Sequence, residues 1–161
     1  MSSEGLKTLK NYNLLCLKKL LLRKKITVSV AESCTGGELS SALTSIPGSS
    51  GYFVLGLVVY QTEMKESVLG VSHETIRDFS VYSPEVAYEM AKNVKRLSKA
   101  HIGISTTGEF NGHGYLYYCI YQDDNNYTLK RIEVFGDRVK SKFKAVNRIL
   151  NSLLGFVLNQ P

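Results

Sequence analysis

The sequence predicts an α/β fold: a three-layer α/β/α sandwich around a mixed, mostly parallel sheet of about five strands with a C-terminal hairpin. Two patterns predict it. Short β-branched and apolar runs alternate with amphipathic helical segments, which is the order of a sheet covered by helices on both faces. Two further apolar runs near the C-terminus flank the turn-forming residues 123–126, which is typical of a hairpin.

The individual elements follow from periodicity and capping. Residues 6–24 form the first predicted helix, because leucines recur with a helical period. Ser83, Pro84 and Glu85 give a helix start with a cap residue, a proline and an acid. Strands are predicted over residues 26–31, 52–60, 101–106, 115–122 and 127–135. Four further helices are predicted to end near residues 45, 70, 80 and 99, and a final helix is predicted to begin at residue 136. Inward-facing side chains are predicted at Val86, Met90, Val94 and Leu97, and at Val139, Phe143, Val146, Leu150 and Leu153.

Composition limits the possible functions. With 161 residues, 43% of them hydrophobic, we expect one domain over 1–161. No stretch approaches the ~20 apolar residues of a membrane span and the start does not resemble a leader, so a cytoplasmic location is expected. Three widely spaced cysteines and scattered histidines predict no metal site. The net charge of +6 is interpreted as a solvated basic surface, and direct nucleic-acid binding is not expected.

The segment 31–37, AESCTGG, is the first candidate site, because it lies where a buried strand turns into a helix. Ligands of open α/β sheets bind in such turns, and a helix N-terminus offers free N–H groups. Ser33 is the candidate nucleophile, and N–H groups around Thr35, Gly36 and Gly37 are candidates to hold a substrate or an oxyanion. The alternative is that Ser33 and Thr35 are plain cap residues and that the glycines only form a turn.

A base for Ser33 has to come from a neighbouring loop. If the first three strands are parallel, the turns that follow them meet at one edge of the sheet. Lys65, soon after the second strand, can act as a base if its pKa falls from about 10.4 towards ~7–8. Tyr60 at that strand end can orient Lys65 or relay a proton. The alternatives are a solvated helix lysine and an aromatic strand end.

Other residues at this edge are candidates too. Cys34 is a rival nucleophile, with a small buried side chain as its alternative role. Thr107 and Gly108 begin a glycine-rich connection expected to reach the same edge. Arg138, at the start of the last helix, can hold a phosphate or carboxylate, or can be an exposed first-turn arginine.

The sequence resembles the C-terminal domain of the competence/damage-inducible CinA family, the nicotinamide-mononucleotide deamidase domain. The resemblance covers about residues 5–155. Its matching segments are AESCTGG at 31–37, IPGSSGYF at 46–53, GLVVYQTEMKESVLGV at 56–71, VYSPEVAYEMA at 81–91 and FGDR at 135–138.

The resemblance implies a mixed sheet between helices and hydrolysis of the carboxamide of nicotinamide mononucleotide to nicotinate mononucleotide and ammonia. It implies Ser33 as nucleophile, Lys65 as base and Tyr60 in support, with no metal or cofactor. It also implies a homo-oligomer. The altered loop over 109–113 and the basic terminal helices support an alternative function as a protein-binding module in competence or DNA repair. Glu109 and Phe110 stand where the family pattern has small residues, and Lys142 stands where a second arginine is expected.

Overall fold

The computed structural model describes residues 3–110 and 113–160 of the protein, with side chains from residue 13 onward. Its helices are α1 (Ser3–Lys24), α2 (Glu38–Thr44), α3 (Thr62–Ser67), α4 (His73–Phe79), α5 (Pro84–Ser98) and α6 (Arg138–Leu158). Its strands are β1 (Val28–Glu32), β2 (Phe53–Val58), β3 (Ile102–Glu109), β4 (His113–Asp123) and β5 (Asn126–Phe135).

The five strands form one mixed sheet in the order β2-β1-β3-β4-β5. β1 is parallel to both β2 and β3, whereas β4 is antiparallel to β3 and to β5. The predicted α/β/α fold with its C-terminal hairpin is therefore confirmed. Since the parallel pairs are confined to the first three strands, the turns that follow those strands lie at one edge of the sheet, as the sequence predicted.

Strand β1 lies inside the sheet and is buried along its whole length. Val28 and Val30 face the layer formed by α1, α2 and α6, and belong to the larger apolar cluster of the core. Ala31 faces the opposite layer, where it packs with Val86 and Met90 of α5. Because both faces are covered, a continuous run of small and β-branched residues is favoured here over an alternating pattern.

Strand β3 is longer than predicted. Thr107 and Gly108, predicted to begin a loop, are strand residues that pair with Tyr117 and Leu116. A side chain at Gly108 would overlap the main chain of Tyr115 and Leu116, so this glycine allows two strands to approach closely. The connection predicted from 107 to 114 thus shrinks to residues 110–112, of which 111 and 112 lie outside the described residues.

Three of the predicted inward-facing side chains are exposed. Leu97 is 55% exposed, because the inner position of the last turn of α5 is taken by Ser98, whose hydroxyl donates to Ser29 Oγ. In α6, Val139 is 74% exposed and Phe143 is also exposed. The inner stripe begins instead with two small buried residues, Ser141 and Ala145, which let α6 lie close to the sheet. The other predicted positions, Val86, Met90, Val94, Val146, Leu150 and Leu153, are buried.

Strand β2 forms one edge of the sheet, and its apolar run is not fully covered. Val54 and Val58 are about half exposed, while Leu55 and Leu57 pack against the α5 layer. Along the part of the chain that the structure describes, no helix combines the length and the apolar character needed to cross a membrane.

The packing of α5 on β3 depends on Gly103. A Cβ at this position would overlap the Ala91 carbonyl oxygen and lie 2.8 Å from Lys95 Cβ. We expect Gly103→Ala to lower the free energy of unfolding by at least about 2 kcal/mol, since the helix has to move away from the sheet. Urea denaturation measures the change. Gly155→Ala is the control: nothing lies within 4 Å of a Cβ there, and alanine in a helix should raise stability by about 0.5–1 kcal/mol. Equal stabilities of both variants and the wild type would contradict this account of Gly103.

Candidate functional site

The turn after β1 reverses the chain through two glycines in the left-handed region, Gly36 at φ 62° and Gly37 at φ 95°. Ser33 opens this turn. Its N–H donates to the Thr106 carbonyl oxygen over 3.0 Å, and its own carbonyl oxygen accepts from the Gly36 N–H, also over 3.0 Å. The main chain at Ser33 is therefore held both to the neighbouring strand and within the turn.

The Ser33 side chain is 4% exposed. Its hydroxyl has no hydrogen-bond partner among the described residues, whereas every fully enclosed side-chain nitrogen or oxygen in that part of the chain has one. The small exposed surface thus includes the oxygen itself. Ser33 therefore presents an unpaired hydroxyl at the surface, although most of its side chain is buried.

Glu32, which the sequence analysis missed, organises this turn. Its side chain is fully buried, and its carboxylate accepts four hydrogen bonds from the start of α2. Oε2 accepts from the N–H groups of Gly37 (3.0 Å) and Leu39 (3.1 Å), and Oε1 accepts from the N–H (2.7 Å) and hydroxyl (2.6 Å) of Ser40. An acid at the end of a buried strand, a few residues before a helix, is the sequence signal that could have found it.

This contact corrects one expectation. The sequence analysis placed an anion or oxyanion site at the N-terminus of α2, but an internal carboxylate occupies that position. The Gly37 N–H donates to Glu32 and the Gly36 N–H donates to Ser33, so neither is free for a ligand. Thr35 N–H makes no hydrogen bond to another described residue and is the remaining donor of the predicted set.

Lys65 in α3 is almost completely buried, with 1% of its surface exposed. Its Nζ donates to the carbonyl oxygens of Val59 (2.9 Å) and Tyr60 (3.0 Å). No carboxylate forms an ion pair with it among the described residues. Burial lowers the pKa of Lys65 from its ordinary value, and Cys34 and Glu63 oppose that shift more weakly. Desolvation thus shifts the pKa of this amine in the direction that a role as a base requires.

The segments that carry Ser33 and Lys65 are linked through the backbone of Val59, which lies just after β2. The Val59 N–H donates to the Glu32 carbonyl oxygen over 2.9 Å, and the Val59 carbonyl oxygen accepts from Lys65 Nζ. Lys65 thus donates to the carbonyl oxygen of a residue whose own N–H is bonded to Glu32, the residue before Ser33. The structure brings the two elements together at one edge of the sheet, as the parallel arrangement predicted.

Tyr60 supports Lys65 through its carbonyl oxygen, and its phenol points elsewhere. The phenol oxygen accepts from Arg138 Nη2 over 2.8 Å, and Arg138 Nη1 donates to the Phe110 carbonyl oxygen over 3.2 Å. Phe110 itself is buried in the larger core cluster. Arg138 therefore connects the start of α6 to both the β2–α3 junction and the end of β3, and it forms no ion pair with an acid of the described residues.

Two threonines at the end of β3 point in different directions. The Thr106 hydroxyl lies 2.7 Å from that of Thr35, so the missed residue Thr106 contacts the Ser33 turn. Thr107, which the sequence analysis proposed, is fully buried and donates its hydroxyl to the Val81 carbonyl oxygen. Alternation along the strand explains the difference. Neither Thr107 nor Gly108 presents a free polar group to the turn.

Cys34 is a buried neighbour of Ser33. Burial raises the pKa of its thiol to about 12, and the lowering effects of Lys142 and Lys65 are smaller. A thiol with such a pKa is protonated at neutral pH and is a poor nucleophile. The alternative role that the sequence left open, a small core side chain, agrees with its place in the larger apolar cluster.

A third cation, Lys142, reaches the turn from α6. A Cβ at Gly36 would lie 3.1 Å from Lys142 Nζ, so the glycine leaves room for this amine. Lys142 and Arg138 make the surroundings of the turn positive. Within residues 3–110 and 113–160, no group of three His, Cys, Asp or Glu side chains is placed to hold a metal ion.

The profile of the CinA C-terminal domain matches residues 14–157, which is most of the chain. The chain belongs to the CinA family. A protein of Clostridioides difficile that carries the name competence-damage inducible protein is 41% identical over 146 residues, 85% of this chain and 34% of its own length. A CinA-like protein of Flavobacterium psychrophilum is 53% identical over 92 residues, 57% of this chain and 22% of its own length. The chain thus spans about a third or less of these relatives.

Solved structures of CinA proteins share the fold. A CinA superfamily protein from Klebsiella pneumoniae superposes with a TM-score of 0.84 at 23% identity, covering 94% of this chain and 99% of that one. A competence or damage-inducible protein from Enterobacter asburiae gives a TM-score of 0.81 at 28% identity, covering 90% of this chain and 96% of that one. The arrangement of helices around the sheet is therefore that of the CinA C-terminal domain.

Burial of Lys65 has a measurable effect on stability. Its pKa is lowered on folding, so between that lowered pKa and the ordinary value of 10.5 the unfolded chain binds more protons than the folded one. The free energy of unfolding should then rise with pH across this window, and Lys65→Met should abolish that rise. Urea denaturation at several pH values from about 7 to about 10 measures the slope. Lys144→Met, an exposed lysine variant of α6, controls for the loss of one charge; equal slopes for wild type and Lys65→Met would contradict the expectation.

Proposed function

We propose that this chain is an amide hydrolase that acts on the carboxamide of nicotinamide mononucleotide through a Ser33–Lys65 pair, giving nicotinate mononucleotide and ammonia. CinA family membership supports a CinA-type domain, and the order of the motifs agrees with the finer proposal. The substrate, the chemistry and the roles of individual residues are all part of the proposal.

One observation carries it: the hydrogen bonding of Lys65. A neutral amine has two hydrogens and one lone pair. Its two hydrogens are accounted for by the carbonyl oxygens of Val59 and Tyr60, so the lone pair is left for a third direction. With no carboxylate paired to it among the described residues and with its pKa lowered by burial, the amine suits the role of a general base.

The reaction runs in two halves. Neutral Lys65 takes the Ser33 proton as the serine oxygen attacks the carboxamide carbon, and the protonated amine then gives that proton to the departing nitrogen. Breakage of the carbon–nitrogen bond releases ammonia and leaves an ester on Ser33. Lys65, neutral again, takes a proton from water as the water oxygen attacks the ester carbon. The bond to Ser33 then breaks, the protonated amine returns its proton to the serine oxygen, and the acid product loses its own proton to solvent. The base ends in its starting state.

The oxyanion needs a donor that the fold has not already used. Thr35 N–H fits this condition, because the Gly36 and Gly37 N–H groups are committed within the turn. Removing one donor of this kind typically costs ~2.7–4 kcal/mol of transition-state stabilisation. Lys142, beside Gly36, adds positive charge near the developing anion.

The phosphate of the substrate requires cations outside the turn. Arg138 and Lys142 are one helical turn apart on α6 and line the same side of the site. Arg138 is exposed and forms no ion pair with an acid of the described residues, so its charge is available to an anion. The predicted phosphate-binding role of Arg138 remains part of this proposal, as does the expected homo-oligomer.

The direct test is ammonia release from nicotinamide mononucleotide. Ser33→Ala should lower kcat by at least about 1,000-fold, because the nucleophile is lost while the fold is kept. Cys34→Ala is the matched control at the next position, and it should retain activity within about threefold, since a protonated, buried thiol takes no part. In wild type, kcat/KM should rise with pH up to the lowered pKa of Lys65.

Two results would overturn the proposal. One is no ammonia release by folded wild type, which would favour the alternative of a protein-binding module in competence or DNA repair; that module would capture its partner equally well with Ser33→Ala. The other is loss of activity in Cys34→Ala with retention in Ser33→Ala, which would make the thiol the nucleophile.

The role of Arg138 can be tested with paired substrates. Arg138→Gln should raise KM for nicotinamide mononucleotide by about 10- to 100-fold, the loss of a charged hydrogen bond, and should change KM for the unphosphorylated riboside much less. Tyr60→Phe removes the 2.8 Å bond to Arg138 but keeps the positive charge, so its effect on KM should be smaller. Equal increases for both substrates would assign Arg138 to the shape of the site and not to the phosphate.

A further inference from the structure

Glu32 is a buried carboxylate with an unusual set of partners. It is fully enclosed, and all four of its hydrogen-bond partners are neutral donors of a single segment, Gly37 to Ser40. No cation forms an ion pair with it among the described residues. A buried carboxylate without a cation is stabilised here by main-chain N–H groups at the positive end of a helix.

Capping of α2 alone does not account for this arrangement. Helices are ordinarily capped by a short polar side chain at the N-cap position itself. At α2 that position is Gly37, which has no side chain to offer, and the acceptor comes from five residues earlier in the chain. The contact therefore joins the two ends of the turn, and the residues between those ends are Ser33 to Gly36.

Joining the ends of the turn fixes Ser33. Its N–H is held by Thr106 and its carbonyl oxygen by Gly36, and the Glu32 carbonyl oxygen accepts from Val59. The Glu32 side chain adds one more contact, because its carboxylate binds the N–H groups at the start of α2, the helix that follows the turn. Without this link the glycines at 36 and 37 would leave the turn free to open.

We propose that Glu32 is a positioning residue: its carboxylate closes the 33–37 turn so that the Ser33 hydroxyl faces Lys65 and the substrate. This inference rests on the proposed function for the identity of Ser33 as the nucleophile.

Glu32→Gln tests the inference because it keeps the size of the side chain. An amide places an NH₂ group against at least one of the N–H groups that now donate to the carboxylate, so the turn loses part of its closure. Ser40→Ala is the matched control: it removes one contact to the same carboxylate and leaves all three main-chain donors in place.

The experiment measures two reactions. The first is labelling of Ser33 by a fluorophosphonate, which reacts with activated serines whatever the natural substrate is. The second is ammonia release from nicotinamide mononucleotide. For Glu32→Gln we expect labelling and kcat to fall by about 10- to 100-fold with KM within about twofold of wild type, since displacement of a reacting group by about 1 Å can cost that much. The pH at which activity rises should not change, because Lys65 is untouched. Ser40→Ala should lose less than about threefold in either reaction.

Thermal unfolding and amide hydrogen exchange at Gly37 and Leu39 separate positioning from general loss of fold. Glu32→Gln should remain folded at the assay temperature and exchange these two amides faster. Labelling of a folded Glu32→Gln at the wild-type rate would overturn the inference while leaving the proposed function intact. Labelled wild type without ammonia release would overturn the proposed substrate but not the role of Glu32. Absence of labelling in folded wild type would overturn both.

Discussion

The parallel pairing of β1 with β2 is the constraint on which the site depends. It places Val59 so that its N–H donates to the Glu32 carbonyl oxygen and its carbonyl oxygen accepts from Lys65 Nζ. The two candidate catalytic side chains come from different crossovers, and their relative position follows from one strand register. A shift of that register by one residue would turn the side chains at the strand ends to the opposite face and separate the pair.

Burial shifts the pKa values of two side chains near this strand pair in opposite directions. At Lys65 it removes water from an amine and lowers its pKa, because the charged form loses hydration that two carbonyl oxygens replace only in part. At Cys34, one residue from the serine, it raises the pKa of the thiol, because there the deprotonated form is the charged one. The same dry environment thus favours a neutral amine at Lys65 and a neutral thiol at Cys34.

Much of this could be predicted from the sequence, since strands of apolar residues and capped helices are local signals. The turn at Ser33 and the helix carrying Lys65 follow from such signals and from the parallel order of the strands. Other features depend on contacts far apart in the chain. Thr107 was expected in a loop, but the close approach of β4 at Gly108 extends β3 past it. Glu32 was missed because three of its four hydrogen bonds come from main-chain N–H groups, so only its place at the end of a buried strand just before a helix indicates its role. At Leu97 the helical period predicted burial, yet Ser98 takes the inner position of the last turn of α5 and Leu97 is exposed.

The support of Lys65 by two carbonyl oxygens also bears on how such a site tolerates mutation. Its acceptors belong to the peptide backbone of residues 59 and 60, so a change of side chain at either position leaves them in place. A lysine oriented by a carboxylate side chain would lose that orientation through a single substitution of the acid. Here substitutions at positions 59 and 60 can alter the shape of the cleft while Lys65 keeps its orientation, so this part of the molecule can vary in sequence without displacing its buried amine.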